Sequence, residues 1–356
     1  MKIKTLQNML TVRGDSLYCP LPVSLDSYGN CLVDCWHCYF RRLNYVWGQD
    51  LKPIDPENLR GKLVNGLKNP HPISSLAYAL KQKKTLRFGN KADPFQPAEK
   101  EFGVSRDTMF ILLEFGWNTV IQTRFTDQAL EYEDIFMEGK DIFILMPVIS
   151  PGLEKDWEIL ERSRTTNPLD RISCAAFFVS KGLQVGINGE PFIPGFHTVK
   201  DFENILKLLK SNNLKSYNTY NFHWNDFVAK RLIGIGIDIE RIWFYNQDNE
   251  WRKILIQLID LARKYNIDLG CPDFVNSGSF VQRANTCCGI DVKNPCTFNV
   301  VTWKKMRNDQ KKILEKTWDG IGDYESGRKV MYGETEDEDF FTMKDINKDI
   351  RKGLLV

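Results

Sequence analysis

The chain has 356 residues, a formal net charge of +2, and 42% hydrophobic and 12% aromatic residues. That length can bury a large core, while the near-neutral balance excludes a strong global field for nucleic acid, so binding a polyanion would need a local patch. The start MKIKTLQNML lacks an apolar run long enough for a signal peptide or membrane span. Nine cysteines without a secretory signal then point to a reducing compartment, the cytoplasm by default, and to metal binding rather than disulfides.

In chain order, residues 1–24 read as a lead-in to the segment Leu25-Asp26-Ser27-Tyr28-Gly29-Asn30 and the run Cys31-Leu-Val-Asp-Cys35-Trp-His-Cys38. Thr85 to Gly89 is a short strand pattern ended by glycine, and Asp93-Pro94-Phe95-Gln96-Pro97 breaks the chain before Glu99. Ser105 to Gly116 has a serine cap and helical apolar spacing. Strands are expected at Thr119–Thr123 and Asp141–Ile149, a helix over Arg171–Gly182, then a strand at Gln184–Asn188. Asp201–Lys210 reads as a helix, Arg241–Tyr245 as a strand, Glu250–Tyr265 as a long amphipathic helix and Ile267–Cys271 as a closing strand. Strands alternating with helices of this length imply parallel pairing through right-handed crossovers. The expected fold is α/β: a partial parallel (β/α)6 TIM-like barrel over residues 25–270, with a cysteine-containing C-terminal extension over 271–356. In such barrels chemistry sits where loops leave the carboxyl ends of the strands. The acidic run Glu334 to Asp339 in the charged tail reads as a solvated face or end.

The C-x3-C-x2-C spacing of Cys31, Cys35 and Cys38 wraps a tight loop around one small object and offers it three thiolates. Four cysteines would close the coordination of an iron–sulfur cluster or a structural zinc; three leave a metal position open. The spacing also allows a zinc loop with a remote fourth ligand or with His37 as ligand, and three unrelated buried thiols.

Four stretches, in order, resemble the spore photoproduct lyase-like group of the radical S-adenosylmethionine (SAM) superfamily. They are Leu25 to Cys31, with Asn30 where the family commonly has glycine; Asp93-Pro94-Phe95-Gln96-Pro97-Ala98-Glu99, with Ala92 in place of the family's threonine; Gln122-Thr123-Arg124-Phe125, where the family places Thr-Lys-Ser; and Pro191-Phe192-Ile193-Pro194-Gly195, preceded by Arg171 and Gly182. The resemblance covers Cys19 to Gly195 well and the remainder loosely. It implies a 4Fe–4S cluster on Cys31, Cys35 and Cys38, whose open iron is chelated by SAM. It further implies an enzyme in which one-electron reduction cleaves SAM to a 5′-deoxyadenosyl radical that takes hydrogen from a substrate. The electron would come from a reductant such as flavodoxin or ferredoxin.

The same resemblance implies SAM contacts. Gly89 and Asn90 stand where such proteins hold the SAM amino group, or form a simple strand-ending turn. Arg124 could grip a carboxylate bidentately or make a surface salt bridge, and Thr123 precedes it in the same match. Tyr39 is placed for the adenine or for the core, and Asp93 and Arg171 for polar contacts or helix-end electrostatics. His71, His197 and His223 are scattered and read as surface or structural; His197, after the Ile-Pro-Gly turn, is the one worth testing. One departure limits the transfer: the lyases use a cysteine near the end of the second strand to return hydrogen to the product radical, and no cysteine lies between Cys38 and Cys174 here. Fold and radical initiation can carry over while the substrate differs.

Downstream, Cys271, Cys287, Cys288 and Cys296 sit in turn-rich sequence and suggest an auxiliary iron–sulfur cluster, with zinc or plain buried thiols as alternatives. Cys19 and Cys174 look isolated and buried. For the substrate, Lys81, Lys83, Lys84, Arg87 and Lys91 suggest a basic groove at the barrel mouth for a nucleic-acid base or nucleotide, with Trp and Tyr residues to stack it. The near-neutral charge and the auxiliary cysteines suggest instead a peptide or small metabolite. A non-enzyme alternative is a zinc-stabilised interaction module on the same barrel.

Overall fold

The structure, a computed structural model, describes residues 9–12, 21, 23–38, 40, 51–72, 74–222, 225–270, 286 and 288–295. Strand β1 (Leu10–Val12) pairs antiparallel with β2 (Val23–Leu25), which opens a parallel run through β3 (Leu86–Phe88), β4 (Thr119–Thr123), β5 (Phe143–Pro147) and β6 (Gln184–Val185). After Gly186 the chain continues as β7 (Ile187–Asn188), which pairs parallel with β8 (Ser216–Asn218), and β8 with β9 (Asp268–Gly270). The two sheets join where Ile149 N donates to Asn188 O at 2.8 Å, so β6 and β7 act as one strand bent at Gly186. A Cβ at Gly186 would lie 2.3 Å from Ile290, which is why the bend carries glycine.

This is the partial parallel barrel the alternation implies, with two corrections. Arg241–Tyr245 is not a strand: Ile239–Tyr245 is a helix, started by Asp238, whose carboxylate accepts from Arg241 N at 3.0 Å. Its β-branched and aromatic composition favours a strand, but the cap and the packing of Ile242 decide otherwise, leaving Trp243 and Phe244 exposed. Conversely, β2 and β8 were not expected. β8 is the polar triplet Ser-Tyr-Asn, buried because it runs through the barrel and bonds neighbours on both sides. With β6 and β7 counted as one, the nine strands among the described residues less antiparallel β1 give seven parallel segments, against the six expected.

β4 and β5 are buried along their whole length, as strands covered on both faces must be. Ile121, Phe143 and Leu145 face the helices at Pro56–Lys68, Val104–Glu114, Thr126–Glu131 and Pro168–Ser180. Val120, Ile144 and Met146 face inward and meet Cys288, Ile290 and Val292, so the segment 288–295 plugs the amino-terminal end of the barrel. Buried Lys84 ties that plug down, donating to Asn294 Oδ1 at 2.9 Å and Pro295 O at 3.2 Å. The second half packs Ile187, Tyr217 and Leu269 under the helices Val199–Ser211 and Asp248–Tyr265. Among the described residues no helix is long and apolar enough to cross a membrane.

Candidate active site

With the plug at one end, the open end of the barrel is where β2, β3, β4, β5, β7 and β8 release their loops. The loop after β2 carries the three cysteines, and the loop after β3 holds it in place. Asp26 Oδ1 accepts from Asn90 N at 3.0 Å and Lys91 N at 2.7 Å, and burial pushes its carboxyl pKa up. Tyr28 donates its hydroxyl to Glu99 at 2.5 Å, and Ser27 meets Ser105 at 2.8 Å. Gln96, fully buried, brackets the first cysteine: its Nε2 donates to Asn30 O at 2.9 Å and its Oε1 accepts from Leu32 N at 2.8 Å. Asn30 turns its own side chain back to accept from Cys31 N at 2.8 Å.

The Asp-Pro-Phe-Gln-Pro-Ala-Glu segment is thus a three-way bracket. Asp93 holds the end of β4, accepting from Thr123 Oγ at 2.7 Å and Arg124 N at 2.6 Å. Gln96 holds the cysteine loop. Glu99 holds Tyr28 and accepts from Tyr132 at 2.8 Å and Ser105 N at 2.9 Å.

One pocket opens among these loops, and Cys31, Cys35 and Cys38 all line it, with His37, Gly89, Asn90, Asp93 and Arg124. Burial pushes the Cys31 thiol up to about 11 and that of Cys35 well above its usual value. Metal binding would offset that burial by replacing the proton with a cation. Among the described residues, no group of three His, Cys, Asp or Glu side chains stands as ligands to a single ion. Three thiols around one pocket would suit a cubane cluster, in which each thiolate binds a different iron. His37 is buried, and burial together with Arg124, 3.5 Å away, pushes its pKa down to about 3, which keeps the ring neutral.

Gly89 closes β3 with φ +90°, and a Cβ there would lie 2.6 Å from both Gln122 O and Pro94 Cδ. Only glycine fits. We expect Gly89→Ala to lower the melting temperature, measured by thermal denaturation, because strain and clash act together.

Of the remaining residues expected at the cofactor, Thr123 and Arg171 do not line the pocket. Thr123 donates to Asp93 behind it. Arg171 is completely buried and donates to Val148 O at 2.6 Å, Thr166 O at 2.7 Å and both oxygens of Glu161. Glu161, which sequence reading passed over, in turn accepts from Arg124 Nε at 3.0 Å. Burial opposes its ionisation, but Arg171 and Arg124 together hold its carboxyl down to about 2. Arg124 therefore reaches the pocket already oriented by a buried carboxylate, and Arg171 acts one step behind it. Tyr39 lies outside the described residues.

The opposite wall was also missed. Arg87, Gln122, Asn188, Glu190, Tyr220 and Phe222 line it. Arg87 Nε donates to Gln122 at 2.5 Å, its other end stands 3.9 Å from Glu190, and Glu190 accepts from Asn218 at 3.0 Å. Arg87 is one of the residues expected in the basic groove at the barrel mouth. Its signal was its position between Leu86 and Phe88, which alternation sends to the other face.

Of the five residues expected to form a basic groove at the barrel mouth, two, Arg87 and Lys91, line the pocket. Lys84 is buried under the plug and Arg87 points into the barrel, while Lys81 and Lys83 stand before β3 at its other end. His197 is buried away from the pocket, accepting from Ile193 N at 2.8 Å and facing Asp156 at 2.9 Å; it locks the turn after Pro194-Gly195. His71 is exposed, and Cys174 is buried as expected. Of the downstream cysteines Cys288 packs in the apolar plug, at the end of the barrel away from the pocket. Cys271, Cys287, Cys296, Cys19 and His223 lie outside the described residues, as does the charged tail.

No protein-family model and no curated protein matches the chain. Solved structures do. A cysteine-to-alanine variant of spore photoproduct lyase superposes with a TM-score of 0.56 at 9% identity, over 76% of this chain and 81% of that one. The same lyase complexed with dinucleoside spore photoproduct gives 0.54 at 9% identity, over 76% and 81%. Streptococcus suis SuiB gives 0.46 at 13% identity, over 73% of this chain and 54% of that one. These likenesses show the fold: the chain shares the barrel architecture of the lyase structures.

Proposed function

We propose that this protein is a radical SAM enzyme. The observation that carries the reading is the convergence of Cys31, Cys35 and Cys38 with Gly89, Asn90 and Arg124 on one pocket at the open end of the barrel. Cys31, Cys35 and Cys38 would hold a 4Fe–4S cluster, and Gly89, Asn90 and Arg124 would contact SAM. With SAM bound, a cluster held there would supply one-electron reductive cleavage of the sulfonium, the chemistry that opens the way to hydrogen abstraction. The protein's own part is aim and shielding. Gln96 and Asp26 hold the loop, Glu161 aims Arg124, and Phe222 with Tyr220 limits water at the inner wall.

The inner wall bears on the substrate. Two amides, an ion pair and an aromatic face suit a flat, hydrogen-bonding group such as a nucleic-acid base, and the fold neighbour above is complexed with a dinucleoside. The dispersal of the expected basic residues favours a second reading, a peptide or small metabolite, because a duplex needs a phosphate-binding surface. An electron-donor protein and a cytoplasmic setting belong to the same proposal. Anaerobic incubation with SAM and dithionite is expected to release 5′-deoxyadenosine; its absence from protein loaded with iron would refute the reading. Retention on immobilised DNA that falls steeply with salt would select the nucleic-acid substrate, and salt-indifferent flow-through the smaller one.

A further inference from the structure

The cysteine loop is held on a second side by residues outside the stretch that resembles the lyases. The helix Asp226–Ile233 begins at Asn225, whose side chain accepts from Val228 N at 2.9 Å, and it buries Val228, Ala229 and Leu232. Its Arg231 reaches back to the loop. The guanidinium donates to Cys35 O at 3.1 Å, to Asp34 O at 3.3 Å and to the Asp34 carboxylate at 2.7 Å. It also lies 4.9 Å from the centre of the Trp36 ring, where Arg162 stands at 5.2 Å, and Arg162 donates to the second Asp34 oxygen at 3.0 Å.

Asp34 needs this support. Its φ of +58° is left-handed, a conformation that costs a non-glycine residue energy unless its surroundings hold it. The turn lets the chain reverse between Cys31 and Cys35, and the two arginines fix it by main chain and side chain at once. Their charges matter too. Two guanidinium groups against one carboxylate leave a net positive charge beside Cys35, with Arg231 only 13% exposed. Iron–sulfur potentials follow net charge and hydrogen bonding around the sulfurs, and a nearby cation favours the reduced, more negative state.

We propose that Arg231 is a positioning residue for the iron–sulfur site, fixing the Asp34–Cys35 backbone from the helix at 226–233 and raising the cluster's reduction potential. The inference rests on the radical SAM reading and adds to it a determinant of cluster retention and potential. The test compares native protein, Arg231→Gln and Arg231→Lys after anaerobic reconstitution. Iron loss to a ferrous chelator and the midpoint potential by redox titration are read, with thermal melts to confirm folding.

The glutamine variant is expected to lose iron roughly ten-fold faster, as groups that orient metal ligands commonly require, and to shift to a more negative potential. The lysine variant keeps the charge but not the fork, so the potential should recover while retention stays weakened. An unmoved potential in folded Arg231→Gln, or iron loss at the native rate, overturns the proposal. Native protein that binds no cluster overturns the radical SAM reading itself, and this inference with it.

Discussion

Glu161→Ala is expected to destabilise the fold by about 3–5 kcal/mol, the usual cost of stranding one member of a buried ion pair. The stranded group would be Arg171, which has no exposure and whose other partners are Val148 O, Thr166 O and Thr165 Oγ. Arg124 would lose its aim in the same stroke, because its Nε partner is Glu161. Chemical denaturation of the two proteins measures the first effect and SAM affinity the second.

A pH dependence follows with a definite sign. Folding lowers the Glu161 pKa from 4.5 to about 2, so the folded state holds the ionised form more tightly than the unfolded chain does. Its stabilisation is complete above about 4.5 and is lost as pH falls from there through about 2. Glu161→Gln removes the titration, and the variant's stability should change less over that window. An unchanged acid profile would mean that the carboxylate is not ionised between its two arginines.

Gln96→Leu is expected to damage the site more than the fold. The substitution nearly conserves volume but leaves Asn30 O and Leu32 N without their partner, at about 1–3 kcal/mol for each group that stays buried. Because the two bonds flank Cys31, the larger effect should appear in iron retention, weakened ~10–100-fold. Gln96→Glu separates the two bonds: it still accepts from Leu32 N but cannot, when ionised, donate to Asn30 O. Intermediate retention in that variant, measured against a chelator, is the expected result. Native retention in Gln96→Leu would show that the amide does not position the first cysteine.

These two residues differ in how far sequence could reveal them. Gln96 sits in a contiguous segment whose Asp, Gln and Glu each serve a different neighbouring loop, so the whole bracket is compressed into seven legible residues, Asp93 to Glu99. Glu161, Glu190, Arg87 and Arg231 carry no such signature. Each reaches its partner across the barrel from an isolated position, and only the fold makes the pair. Local composition misled in the same way at Arg241–Tyr245, where strand-forming residues are held as a helix by Asp238. Lysines adjacent in sequence before and along β3 were dispersed because the strand carries its residues to opposite ends and faces. Of the cysteines that suggest a second metal site, Cys288 packs in the apolar plug, and Cys271, Cys287 and Cys296 lie outside the described residues.

The central claim, a cluster on Cys31, Cys35 and Cys38, is tested most directly by counting iron and sulfide. The protein would be reconstituted without oxygen beside a Cys31/Cys35/Cys38→Ala variant. About four irons and four sulfides per chain, lost in the variant, is the stoichiometry of one 4Fe–4S cluster and the result expected here. Zinc in place of iron, or iron that survives in the variant with none lost, would contradict the account.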